Sequence, residues 1–182
     1  MLTRNLSTIR LLLKEITWDD LQTIHAIHSR PEVDEFATLG IPRNEEDTKD
    51  YMRPYINNEG RSIKKSYAWL VYRKEENVVV GLVGMHNSLD RFNRGEIWYK
   101  LLPEAWGKGY ATEAASRIIE FGFNELKLHR IEAGVATMNS ASIKVLEKLG
   151  MRREGLKRKV LPIRGEWVDN FHYAILEEDL EV

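Results

Sequence analysis

No cysteine occurs anywhere in the 182 residues. Disulfides, thiolate metal sites and a cysteine nucleophile are therefore excluded, and nothing calls for an oxidising compartment. Long apolar runs are missing too. The longest, Val78 to Met85, is far too short to span a bilayer. Leu11-Leu12-Leu13 lies between Arg10 and Lys14 and does not read as a signal-peptide core. The expectation is a soluble, cytoplasmic chain with no membrane partner. Nor does charge of one sign dominate, because 27 Lys and Arg against 28 Asp and Glu leave a formal net charge of −1. No global field draws the chain to nucleic acid, so no direct nucleic-acid binding is expected. What is present suffices for a core: 43% hydrophobic residues, five of them Trp. No linker, repeat or low-complexity segment divides the chain, so residues 1–182 read as one domain.

The most informative stretch runs from Leu101 to Ala115. An apolar segment stops at Pro103, a short loop with Gly107 and Gly109 follows, and a helical pattern begins at once. The first N–H groups of a helix lack intrahelical partners, and the macrodipole makes that end positive. A glycine loop feeding such an end suits a phosphate or pyrophosphate. The same pattern also serves an ordinary strand-to-helix turn. Two familiar phosphate templates fail: a Walker loop needs glycine where Leu102 stands, and the dinucleotide fingerprint needs a small residue where Thr112 stands.

Elsewhere, Ile9–Ile16, Ser66–Arg73, Val78–His86, Glu96–Leu102, Arg130–Thr137, Arg152–Leu161 and Glu166–Leu176 read as strands. Gly81 and Gly84 inside the third mark a bend or a close backbone approach. Thr17 caps a first helix, Asn44 a second that runs to about Glu59 with a kink or break at Pro54, and Asn139 a short helix closed by Gly150. Asp90 to Arg94 reads as a polar loop. His25 and His28 lack nearby partners for a metal site, and no metal is expected. The acids Glu45, Glu46, Asp47 and Asp50 suit either a solvated helix start or a rim that attracts a cation. The fold class is α/β (α+β), with a mixed, largely antiparallel sheet of about seven strands.

Glu104-Ala105-Trp106-Gly107-Lys108-Gly109 resembles motif A of the GNAT N-acetyltransferases, Q/R-x-x-G-x-G/A, with Glu104 in place of Gln or Arg. Tyr110-Ala111-Thr112-Glu113-Ala114 resembles the ribosomal-protein N-terminal acetyltransferases, the RimJ/RimL type. Asn139-Ser140-Ala141-Ser142 through Met151 resembles motif B, except that Leu146 stands where many members carry the Tyr that protonates the leaving thiolate. The tail Arg164-Gly165-Glu166-Trp167-Val168-Asp169 is similar to the subgroup's last hairpin.

The resemblance implies helices on both sheet faces and a V-shaped splay between the fourth and fifth strands. It implies acetyl-CoA as co-substrate and an amine acceptor, either a protein N-terminus or a small molecule. It leaves a homodimer open. Lys100, Leu101 and Leu102 would pair with the pantetheine arm, and the Leu101 amide would meet the acyl oxygen. Trp106, Gly107, Lys108, Gly109, Tyr110, Ala111 and Thr112 would hold the pyrophosphate, with Asn139 and Ser142 at the second motif. Ser142 replaces the missing Tyr as general acid, and Glu96 is the candidate base. An ammonium acceptor must lose a proton, and a carboxylate on that strand can take it. Asn139 as a plain cap, Ser142 as an ordinary helix residue and Glu96 as a paired strand residue are the structural alternatives. His86 and Tyr173 are weaker candidates. The acceptor side would be bounded by Thr17 to Gly60 and the Leu161–Val168 hairpin, with Trp18, Phe36, Trp106 and Trp167 lining it or filling core. A non-catalytic acyl-CoA-binding module and a nucleotide-binding protein are the competing readings.

Overall fold

The protein is described here from a computed structural model, which covers residues 4–57, 64–88 and 91–180. Among the described residues, eight strands form one sheet in the order β1-β2-β3-β4-β5-β6-β8-β7. They are β1 (Leu6–Ser7), β2 (Leu11–Glu15), β3 (Ser66–Arg73), β4 (Val78–Asn87), β5 (Arg94–Leu101), β6 (Arg130–Ala136), β7 (Arg152–Ile163) and β8 (Glu166–Leu176). Only β5 and β6 run parallel, because the helix between them carries the chain back across one face. The sequence suggests about seven strands; the eighth is β1, whose two residues are too short to show a period. It pairs Leu6 with Leu13, and Ile9 lies in the turn between β1 and β2, almost wholly exposed.

The helices are α1 (Leu21–His28), α2 (Pro31–Asp34), α3 (Glu45–Ile56), α4 (Tyr110–Asn124) and α5 (Ser140–Lys148). Thr17 starts the first helical segment as a short 3-10 turn: its N–H and hydroxyl both donate to the Asp20 carboxylate, at 2.9 and 3.2 Å. Asn44 accepts from the Asp47 N–H and begins α3. Pro54 sits inside α3 without dividing it, and the helix ends two residues later at Ile56. The expected end at Glu59, the Gly60 boundary and Asp90 lie outside the described residues. Asn139 accepts from the Ser142 N–H at the start of α5. Gly150, at φ +77°, closes that helix, with the Met151 N–H donating to the Leu146 carbonyl. The turn Arg164-Gly165 has φ of +48° and +81°, as a tight hairpin turn requires, and joins β7 to β8.

Two cores result. On one face α4 and α5 bury Ala114, Ile118, Phe121 and Leu146 against Trp69, Val83, Ile97 and Tyr173. On the other, α1 and α3 bury Ile24, Ile27, Met52 and Tyr55 against Leu70 and Leu82. Truncating any one of these large side chains to Ala should cost roughly 2–5 kcal/mol. Gly84 explains how the second core closes. A Cβ there would lie 2.3 to 2.7 Å from the Trp98 indole, so only glycine lets that ring lie across β4. Among the described residues no helix is long and apolar enough to cross a membrane.

Candidate active site

β5 and β6 start as neighbours and then part. Their pairing covers Arg94↔Arg130, Gly95↔Ile131 and Glu96↔Glu132 and goes no further. Beyond that point β5 continues to Leu101 beside β4, and β6 continues to Ala136 beside β8. A V-shaped cleft opens between them, as the resemblance implies. Backbone groups alternate across an antiparallel strand. Since the Leu102 N–H donates to the Val80 carbonyl at 2.9 Å, the even-numbered residues bond to β4. The amides of Tyr99 and Leu101 therefore face the open cleft, while that of Ile97 still faces β6 at the last pair, Glu96↔Glu132. Of the three expected edge residues, Leu101 presents its amide, whereas the Lys100 and Leu102 amides are committed to β4. The Leu101 carbonyl accepts from the Trp106 indole N–H at 2.8 Å, so Trp106 folds back over the end of β5.

The glycine loop sits at the open end of the cleft. Gly107 and Gly109 have φ of +73° and +79°, values that side chains with a Cβ rarely adopt. A Cβ at Gly107 would meet nothing within 4 Å, and one at Gly109 would meet the Arg10 Nη2 at 3.4 Å. The conformation, more than protein crowding, demands glycine here. Among the described residues, the N–H groups from Gly107 to Thr112 donate to no protein acceptor. They are six consecutive donors at the positive end of a fifteen-residue helix, which fits an anionic pyrophosphate. Tyr110 is buried, Ala111 and Thr112 are half-buried, and Trp106, Gly107, Lys108 and Gly109 are exposed.

Across the cleft from β5 stands the start of α5. Ser142 is half-buried there, and the Tyr99 hydroxyl donates to its carbonyl at 3.2 Å. Tyr99 spans the cleft from one wall to the other. Burial pushes its phenol up to about 12, so it stays neutral and acts as a donor. Leu146, at the place where many members of the resembled family carry a Tyr, is packed in the core at 1% exposure. Tyr173 is likewise core, its hydroxyl 3.4 Å from Glu147.

Glu96 lies where the cleft closes. Burial among its neighbours and the adjacent Glu132 push its carboxyl above the usual range, while His172, Lys157 and Arg94 pull the other way. The residue remains open to solvent, so water limits that rise. Glu132 goes in the opposite direction: despite its own burial, Arg130 at 2.7 Å holds it below the usual range. Two neighbouring carboxyls with affinities for the proton driven apart suit one fixed anion and one proton acceptor.

The face of the sheet that carries Glu96, covered by α1 and α3, supplies further groups, of which the sequence reading singles out only His86 as a catalytic candidate. The Tyr55 hydroxyl bonds the His86 Nε2 at 2.5 Å, and the Ser66 Oγ bonds the Nδ1 at 2.9 Å. Burial lowers the His86 pKa and keeps the ring neutral. His86 is the direct cross-strand partner of Glu96. Nearby, His28 is lowered to about 3 by burial, then by Lys100 and His25. Burial lowers Lys100 against the pull of Asp34, and burial raises Asp34 against Lys100 and Arg164. Arg164 Nη2 donates to the Pro31 carbonyl at 2.9 Å, joining the β7–β8 turn to α2. Of the expected lining aromatics, Phe36 is half-buried, while Trp18, Trp106 and Trp167 are 36%, 49% and 59% exposed. His25 bonds Thr48 at 2.7 Å, and Asp47, Glu46 and Asp50 pair locally with Arg43, Lys49 and Arg53.

A sheet split in this way, with a glycine loop of free amides at its mouth, suits the anionic end and extended arm of an acyl-CoA. The chain belongs to the acetyltransferase (GNAT) domain family, whose pattern matches residues 10–152. It is 35% identical over 175 residues to the uncharacterized N-acetyltransferase YnaD of Bacillus subtilis (strain 168), covering 96% of this chain and 98% of that protein. The fold is shared with ribosomal-protein-S5-alanine acetyltransferase from Vibrio fischeri, at a TM-score of 0.82 and 24% identity, covering 98% of this chain and 100% of that one. It is shared also with spermidine N-acetyltransferase from Vibrio cholerae in complex with CoA and spermine, at 0.81 and 21%, covering 94% and 98%. The protein is an acetyl-CoA-dependent N-acetyltransferase of the GNAT family.

Proposed function

We propose that the chain acetylates a primary amine, a protein N-terminus or a small amino compound, by direct attack in a ternary complex. The observation that carries this reading is the cleft itself. Free amides line one wall and its mouth, and Glu96 stands at its closed end. The amides from Gly107 to Thr112 hold the pyrophosphate of acetyl-CoA, the expected Trp106 N–H being committed to the Pro103 carbonyl at 3.1 Å, and the Leu101 edge, flanked by Lys100 and Leu102, aligns the pantetheine arm. The bound thioester supplies an activated acetyl group. The Leu101 N–H donates to the acyl oxygen as negative charge builds there. Glu96 removes the ammonium proton, directly or through water, and its raised pKa improves the match to an amine. Ser142, placed by the Asn139 cap, protonates the departing thiolate and takes in return the second proton that the attacking nitrogen loses as the amide forms.

An α-amine has a pKa near ~8, against ~10 for an alkylamine, so a carboxylate base deprotonates it more readily. Together with the motif resemblance, this favours a RimJ/RimL-type acceptor, with the chain acting as a single cytoplasmic domain. A steady-state assay of acetyl transfer to N-terminal peptides and polyamines tests the reading. Turnover on peptides with an exposed α-amine is expected. Turnover on polyamines alone would overturn the acceptor assignment.

A further inference from the structure

We propose that Arg10 is a positioning residue for the phosphate loop: it cancels the charge of Glu113, which would otherwise oppose an anion at the start of α4. The inference rests on reading that loop as the pyrophosphate site. A helix N-terminus attracts any nearby anion, including the chain's own carboxylates. Glu113 lies in the first turn of α4, directly behind the free amides. Left alone, it would compete with the ligand for the same positive end.

The structure holds Glu113 away from that role with three donors. The Thr8 hydroxyl lies at 2.5 Å, the Arg10 backbone N–H at 2.9 Å and the Arg10 Nε at 2.6 Å. Partial burial pushes the carboxyl up, yet the Thr8 and Arg10 bonds keep it below its usual range. Glu113 is therefore charged at neutral pH, and its charge is matched at contact distance. Arg10 also reaches the loop. Its Nη1 donates to the Lys108 carbonyl at 3.0 Å, and its guanidinium carbon lies 4.7 Å from the centre of the Tyr110 ring. None of the described peptide bonds is cis. In a trans peptide the N–H points opposite to the carbonyl, so turning the Lys108 carbonyl towards Arg10 turns the Gly109 N–H away from it. One side chain thus neutralises the rival anion and orients a loop donor.

Equilibrium titration of CoA at low ionic strength separates this role from a purely structural clasp. Arg10→Met exposes the loop to an unmatched carboxylate and should weaken binding about tenfold. Glu113→Gln should bind at least as tightly as the parent, because the rival charge is gone. The double variant should return to within about threefold of the parent, since neither charge remains. Added salt should shrink the Arg10→Met deficit. If Glu113→Gln weakens binding as Arg10→Met does, or the double variant is no tighter than Arg10→Met, the proposal is overturned. Should Arg10→Met fail to fold, Arg10→Lys keeps the charge but loses the planar fork that reaches both Glu113 and Lys108, so its loss should stay well short of tenfold; a tenfold loss there counts equally against it. A parent chain that binds no CoA, or a Gly109→Val variant that binds it unchanged, would instead remove the phosphate-loop reading itself.

Discussion

The two sides of the cleft are built from different materials. On the proposed reading the donor side is main chain: among the described residues, six free amides, two glycines at positive φ and an unpaired strand edge. On the same reading the acceptor side is side chain: Glu96 beside Glu132, the Tyr55–His86–Ser66 chain, and the Asp34, Lys100 and His28 group, with Arg164 of the β7–β8 turn close to Asp34. Backbone donors cannot be titrated or replaced one atom at a time, so the donor side tolerates changes of residue but not of conformation. The acceptor side depends on the charge state of each group. If the proposed sites hold, the same fold carries a general grip on one substrate and an adjustable one on the other.

Gly109→Val attacks the conformation and should show the largest effect. Valine at φ near +79° is strained by roughly 1–3 kcal/mol, and its side chain would press on Arg10. CoA affinity should fall by about 10²-fold or more as the loop amides lose their alignment, since each charge-assisted bond carries about 1.5–3 kcal/mol. The loop is exposed, so thermal unfolding should remain cooperative.

Glu96→Gln attacks the other side. It should lower kcat by about 10²-fold at neutral pH while leaving acetyl-CoA affinity nearly intact. The parent should lose activity as pH falls through a pKa above the usual carboxylate range, because the base must be ionised. The variant should lack that limb and recover partly at high pH, where more acceptor is free base.

Ser142→Ala should have a smaller effect, a kcat loss of about 10-fold, because water can replace the hydroxyl and a thiolate leaves readily. An unchanged kcat with chemistry rate-limiting would leave Ser142 as a cap-proximal helix residue.

The last effect concerns stability and not the reaction. His28 is buried, and its pKa drops from an ordinary 6.5 to about 3 in the folded chain. The unfolded chain accepts a proton that the folded chain refuses. This contribution is complete above the unfolded pKa and fades as pH falls from 6.5 towards 3, by at most about 1.4 kcal/mol per pH unit. Melting curves of His28→Leu between pH 7 and 4 should show a shallower acid decline than the parent. An identical slope would assign acid sensitivity to other groups.

This contrast also decides what the sequence reveals. The donor side follows local rules: a strand stopped by Pro103, glycines at the turn, and Asn139 and Gly150 bounding α5. Each of these leaves its mark within a few adjacent residues. Even here the alternation of backbone groups, which commits Leu102 to Val80 and frees Leu101, emerges only once β4 is seen as the neighbour. The acceptor side joins residues far apart in the chain. Tyr55 meets His86 across 31 positions, and Arg164 meets Pro31 across 133. No period or spacing signals such pairs. The eighth strand, β1, escaped for a related reason: two residues hold no pattern, and their pairing with β2 is a matter of contact.

The most direct test of the division is calorimetric titration of acetyl-CoA into Gly109→Val and Glu96→Gln side by side. The expected result is a Kd raised by about 10²-fold in the first and within about threefold of the parent in the second. Equal losses in both variants, or a larger loss in Glu96→Gln, would contradict a donor site made of backbone and an acceptor site made of side chains.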